Sequence, residues 1–90
     1  EPGRGMLFVY NEADDRTYVM RNMSFGIDIV YVDADKRITE IHEARAPGPN
    51  ENGESMQYPG YGQYVLEVPK GYMAEHNVTE GDRITIEYNE

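Results

Sequence analysis

The stretch Ile27-Asp-Ile-Val-Tyr-Val-Asp-Ala-Asp-Lys-Arg-Ile-Thr-Glu-Ile-His-Glu43 decides the fold. Ile27–Val32 is a run of β-branched and aromatic residues interrupted by one carboxylate, Asp28. Alternation puts Ile27, Ile29 and Tyr31 on one face, and Asp28, Val30 and Val32 on the other. Both faces are mostly apolar, so the run predicts a central strand covered on both sides. Asp33-Ala-Asp-Lys36 is a tight turn, because an aspartate carboxylate accepts from backbone amides two residues on. Arg37–Glu43 then returns as the second strand of a hairpin. Its isoleucines, Ile38 and Ile41, lie three apart rather than two, which predicts a bulge.

Working outward, strand signals dominate. Gly5–Tyr10, Thr17–Met20, Gln63–Val68 and Arg83–Tyr88 are short runs of β-forming residues between polar, Gly or Pro breaks. In Gln63–Val68, Tyr64, Leu66 and Val68 share a face; in the last run, Ile84, Ile86 and Tyr88 do. Tyr72–Asn77 has room for one or two helical turns, with Asn77 as the stop. Ala46–Gly62 is rich in Pro, Gly and Asn and predicts one long loop. The expectation is a single all-β domain over residues 1–90: a small sandwich or partly open barrel of about six short strands, with one short helix before the last.

Composition limits function. Seventeen acidic residues face eight basic ones, for a net charge of −9, and only Lys36 and Lys70 are lysine. Such a surface repels phosphate backbones and anionic lipid, which argues against nucleic-acid partners. Lysine scarcity beside acidic excess fits a halophilic, salt-adapted protein, since molar salt screens the self-repulsion. The chain has no cysteine, hence no disulfide and no thiolate metal site. No apolar run approaches the ~18 residues of a membrane span. Neither serine, Ser24 or Ser55, lies in a nucleophile-elbow motif, and no phosphate-binding glycine loop is present. No catalytic residue, metal or cofactor is expected, and the domain is expected to be a monomer.

Two places invite a ligand. A carboxylate inside a central strand must be paired, so Asp28 is either a lock or part of a site. As a lock it bonds Arg21 or backbone amides; as a site, Arg21, Asn22 and Asp28 form a polar floor, with His42 at its margin. Glu40, His42 and Asp28 would be a metal set only if they met, and Glu40 shares a strand face with His42. The second place is Tyr58-Pro-Gly-Tyr61-Gly62, two aromatic rings among glycines, suited to a sugar, a peptide or a Pro-rich partner segment. Asn22-Met-Ser24 and Asn77-Val-Thr79 fit the glycan-acceptor pattern.

The segments GMLFVY (5–10), YVMRNMSFGIDIVYVDADKRITEIHE (18–43) and YVLEVPKGYMAEHNVTEGDRI (64–84), in this order, resemble the domain of unknown function 192 family. The resemblance implies a small, mostly β sandwich with a short helix before its last strand, and it implies no activity. It also implies an additional strand ahead of Glu1, and, because many relatives carry a leader or lipid anchor, export to the cell surface. Lys36 stands where the family often has glycine in the hairpin turn, and residues 49–57 form a longer, more acidic loop. The leading reading is a small β binding or interaction module for a small molecule, glycan or protein. The alternative is an enzyme or metal-dependent accessory with a pocket around Asp28, Arg21, Asn22 and His42. The charge balance carries one direct expectation: the melting temperature rises as KCl is raised through the molar range. A flat or falling melting temperature would remove the salt-adapted reading.

Overall fold

The computed structural model describes residues 5–21 and 23–86. Four antiparallel strands form one sheet: β1 (Met6–Val19), β2 (Ile27–Val32), β3 (Ile38–Ala44) and β4 (Gln57–Pro69), in the order β1-β4-β2-β3. A one-turn helix, α1 (Tyr72–Glu75), follows β4. The all-β expectation of a small sandwich or partly open barrel with one short helix holds, with four strands in one bent sheet among the described residues where about six were expected.

The hairpin forms as its sequence dictates. β2 is buried at every position. Asp33 Oδ1 accepts from the Asp35 and Arg37 amides, 2.9 Å each, and tightens the turn. Lys36 takes a left-handed conformation, φ 68°, the geometry glycine adopts without strain. The bulge lies where the isoleucine spacing placed it: Tyr31 opposes Glu40, Val32 opposes Ile38, and Thr39 is the extra residue.

Two strand expectations are corrected. The expected runs Gly5–Tyr10 and Thr17–Met20 are not separate strands but fall in the two arms of β1 (Met6–Val19), joined through a register shift between Val9 and Asp14. The polar Asn11–Asp15 segment reads as a break, yet an edge strand can stay extended with its polar residues in water. At the other end, Arg83 makes only a single bridge to Arg37, while Ile84 and Ile86 pack inward as expected; Tyr88 lies outside the described residues. The long loop is shorter than expected as well, because β4 starts at Gln57. The remaining loop is ordered by a one-turn 3-10 helix at Gly53–Ser55, capped by Asn52, and by a paired Arg45–Glu51 contact, 2.7 Å at each nitrogen.

The long strands make the shape. β1 pairs with β4 along both its arms, but β2 pairs only with Tyr64–Pro69 of β4. The first half of β4 swings away from that plane with the second arm of β1 and folds over β2 and β3. Three side chains hold it there. The Tyr31 hydroxyl donates to the Tyr58 carbonyl (2.6 Å), His42 Nε2 to the Pro59 carbonyl (2.6 Å), and the Thr39 hydroxyl to the Tyr61 carbonyl (2.5 Å). Pro59 is tolerated because this half of β4 has a strand on one side only.

The fold-over encloses one core, of Met20, Ile27, Ile29, Tyr31, Ala44 and Val65 with Phe8, Tyr18 and Tyr58 against it. The opposite face of the sheet holds a second core, of Val30, Val32, Ile38, Tyr64, Val68 and Met73, roofed by α1 and the segment after it. Tyr64, Leu66 and Val68 share that face as the alternation required. Asn77, φ 57°, ends the helical stretch in the left-handed conformation expected of a stop residue. Among the described residues no helix is long and apolar enough to cross a membrane.

Gly60 lies flat on the Tyr31 ring, where a Cβ would come within 2.2 Å of a ring carbon. Its role is close approach rather than flexibility. Gly60→Ala is expected to cost at least about 2 kcal/mol by overpacking, read as a lower urea midpoint at unchanged slope. A midpoint equal to the parent's would mean that the fold-over is loosely held.

Candidate functional site

The residues expected to form a polar pocket are distributed by the sheet to different places. Asp28 faces the helix layer. Its Oδ1 accepts from the Gly71 amide (3.1 Å) and its Oδ2 from the Met73 amide (3.0 Å), and the side chain is fully buried. The lock reading with backbone amides describes this geometry. Arg21 is not its partner: the guanidinium pairs with Glu54 at 2.8 Å on the exposed surface. Asn22, and with it the first glycan-acceptor triplet, lies outside the described residues. His42 sits opposite Ile29 and therefore on the other face of the sheet from Asp28. That separation takes Asp28 away from Glu40 and His42, and the described residues hold no group of three or more metal-ligating side chains.

His42 and the two loop tyrosines do come together, under the fold-over. Since a carbonyl only accepts, the bond to Pro59 assigns a proton to His42 Nε2; a Glu40 oxygen lies 3.4 Å from the same nitrogen. The imidazole packs against Tyr31 and Tyr58, with ring centroids 6.2 and 5.4 Å away. Edge-on contacts continue from Tyr31 to Tyr18 and from Tyr18 to Phe8, at 6.0 and 5.4 Å. The interior of this half is thus a run of aromatic rings, each held by its neighbours. Burial pushes the Tyr31 hydroxyl up to about 12. The Tyr18 hydroxyl is pushed well above the phenol range, first by burial and then by its bond to Tyr10. At neutral pH both hydroxyls are neutral rather than phenolate.

Beside this interior is an open cleft of about 440 Å³, lined by Asp15, Arg16, Thr17, Glu40, Pro59, Gly60 and Tyr61. The floor is the two-stranded arm in which Asp15, Arg16 and Thr17 oppose Tyr61, Gly60 and Pro59. Glu40 approaches from β3. Arg16 is fixed: its Nε donates to the Gly62 carbonyl at 2.9 Å, and its guanidinium lies 3.4 Å over the Tyr10 ring. Tyr61 presents a half-exposed ring at the rim. The cleft therefore offers carboxylate acceptors, a hydroxyl and an aromatic surface on a braced frame.

Of these residues, Pro59, Gly60 and Tyr61 belong to the Tyr58–Gly62 stretch singled out in the sequence and Glu40 was weighed with His42, whereas nothing in the sequence pointed to Asp15, Arg16 or Thr17. The signal for Gly60 was its spacing of two from Gly62, which puts both on one face of a strand and marks a close approach. Nothing local marks Asp15–Thr17, since they reach the cleft only through the folding of the β4 arm.

A further carboxylate stands apart. Glu67 lies between Met6 of β1 and Ile29 of β2, half-buried, with no ion pair among the described residues, and burial raises its carboxyl above the ordinary range.

Residues 1–86 match the DUF192 family, described as an uncharacterized ACR. Two solved structures are similar over 92% of this chain. One, a candidate transcription regulator from Sinorhizobium meliloti 1021, is 28% identical with a TM-score of 0.78. The other, a protein of unknown function from Novosphingobium aromaticivorans DSM 12444, is 32% identical with a TM-score of 0.74. The chain spans 62% and 57% of those two proteins. A search of curated proteins gives no match.

The Glu67 site has a definite pH signature. A carboxyl whose pKa is raised by folding binds its proton more tightly in the folded state. Its favourable effect is therefore present in acid and lost as pH rises through the raised value. Glu67→Gln is expected to raise the melting temperature relative to the parent at about pH 7, with the gap closing by about pH 3. A constant gap at both pH values would mean the carboxylate has a compensating partner.

Proposed function

This chain belongs to the DUF192 family, and we propose that it is a small β binding module whose ligand site is the cleft between the folded-over arm and Glu40. The observation that carries the reading is the bracing of that cleft: Tyr31, Thr39 and His42 each hold a carbonyl of the strand that forms its floor. A site whose frame is fixed before the ligand arrives loses little ordering entropy on binding. The chemistry favours a neutral, hydroxyl-bearing ligand of sugar size. Its hydroxyls donate to Asp15 and Glu40 and accept from Thr17, while an apolar ring face rests on Tyr61.

The acidic surface belongs to the same proposal, as adaptation to high salt and, with export, to the exterior of a cell. The regulator description of the Sinorhizobium neighbour brings no nucleic-acid role here, because a net charge of −9 opposes contact with phosphate. The pocket reading around Arg21, Asn22, Asp28 and His42 gains no support from the geometry, which puts Asp28 and His42 on opposite faces.

The test is an amide NMR titration in molar KCl against neutral mono- and disaccharides, short peptides and divalent metals. The expected result is saturable shifts at Asp15, Arg16, Thr17, Glu40, Gly60 and Tyr61 with a sugar, abolished by Tyr61→Ala. Shifts centred on residues 20–28 would instead restore the Asp28 region as a site, and shifts with metals alone would overturn the sugar assignment.

A further inference from the structure

His42 stands between the brace of the fold-over and the wall of the cleft. Its Nε2 donates to the carbonyl of Pro59, a residue of the cleft lining, at 2.6 Å. The same nitrogen lies 3.4 Å from an oxygen of Glu40, the residue that β3 contributes to the cleft. The His42 side chain is 21% exposed and that of Glu40 43%, so protons reach the ring from water and the carboxylate has room to turn. The neighbours of the ring leave Glu40 as its charged partner. The Tyr31 ring of β2 and the Tyr58 ring of β4 flank it, and burial keeps the Tyr31 hydroxyl neutral. From β1, Arg16 is engaged by the Gly62 and Glu12 carbonyls, and neither it nor Asp15 bonds the imidazole among the described residues. Arg45, just past the end of β3, is paired with Glu51 at 2.7 Å. Histidine is the side chain whose ordinary titration falls between about pH 5 and 8, and here it titrates against a residue of the cleft.

We propose that His42 is a proton switch on the cleft: once protonated, it draws the Glu40 carboxylate onto itself and weakens the binding of a neutral, hydroxyl-bearing ligand. The proposal rests on the reading of the cleft as a sugar site. In the neutral state the Nε2 proton is directed at Pro59, and Glu40 accepts from ligand hydroxyls. A proton added at Nδ1 charges the whole ring and leaves the bond to Pro59 in place. The contact with Glu40 then becomes an ion pair. A carboxylate 3.4 Å from a cation turns toward it and away from a neutral hydroxyl. Asp15 stays in the cleft as a second acceptor, so binding is weakened rather than abolished. Linkage requires the converse as well. A sugar that engages Glu40 takes it from His42, destabilises the imidazolium and lowers the pH at which His42 titrates. Because the Pro59 bond is present in both states, the switch acts on the wall of the cleft and leaves the fold-over standing.

The experiment follows the His42 ring and Glu40 carboxyl signals by carbon-detected NMR from about pH 8 down to about pH 5.5, in molar KCl. Maltose, cellobiose and trehalose are the probes, and affinity is read from the amide shifts of Asp15, Thr17 and Tyr61. In the free protein the Glu40 carboxyl signal is expected to move with the same midpoint as the His42 ring. Disaccharide affinity is expected to fall about fivefold or more across this range, and saturation with the disaccharide to lower the His42 midpoint. His42→Gln keeps a donor for Pro59 but cannot titrate, so its affinity is expected to be flat. His76→Gln, in the stacked pair with Tyr72 at α1, is expected to keep the parent's pH dependence. Equal parent affinity at both ends of the range, or a pH dependence that survives His42→Gln, overturns the switch while the sugar reading stands. If His42→Gln does not fold, the parent decides: a His42 midpoint unmoved by saturating disaccharide overturns the switch. No saturable cleft shift with any of the three sugars, even at the alkaline end, overturns the sugar reading and the switch with it.

Discussion

The Asp28 carboxylate, buried inside β2 and bonded to the Gly71 and Met73 amides, is the contact on which the two halves of the molecule depend. α1 is only one turn long and has no cap from its own sequence: Gly71 stands at its N-cap position without a side chain to offer. The first amides of a helix need acceptors from outside it. Asp28 supplies them from a strand 43 and 45 residues away. One side chain thus joins the central strand to the layer that closes the second core. Among the described residues it is the one charged residue in the buried set, and charge-assisted bonds to two amides are what make such burial tolerable.

The first core depends on a different device. Only the Tyr64–Pro69 half of β4 is paired to β2. The free half bends back, and its unpaired carbonyls are met by Tyr31, Thr39 and His42 instead of by another strand. Tyr31 takes part twice, through its hydroxyl and as the ring surface under Gly60. The cleft is a consequence of this bend, since its two walls are the folded-back arm and β3. Cleft and fold are therefore the same arrangement of residues, and the rigidity of one is the rigidity of the other.

The parts of the molecule written in local sequence were legible from it. The hairpin over Ile27–Glu43, its aspartate-closed turn, the bulge at Thr39, the inward face of Gln63–Val68 and the stop at Asn77 all depend on periodicity or turn chemistry within a few residues. So did the resemblance to DUF192, which residues 1–86 bear out. What escaped depends on contacts between distant segments. Asn11–Asp15 carries turn residues but stays extended at a sheet edge. Tyr58–Gly62 carries loop residues, yet its glycines are required by the approach of Tyr31 and Val32. The need of Asp28 for a partner was evident from its burial. The identity of that partner was not, because Arg21 is near in sequence while the amides that bond Asp28 follow a crossover to β4.

The most direct test of this account is urea unfolding of Asp28→Asn beside the parent, with amide exchange read at Gly71 and Met73. Asparagine keeps the volume but offers an NH₂ group where one amide needs an acceptor. The account predicts a loss of about 3 kcal/mol or more, with exchange at Gly71 and Met73 accelerated beyond that of the β2–β3 hairpin amides. A loss below about 1 kcal/mol, with those two amides still protected, would contradict it.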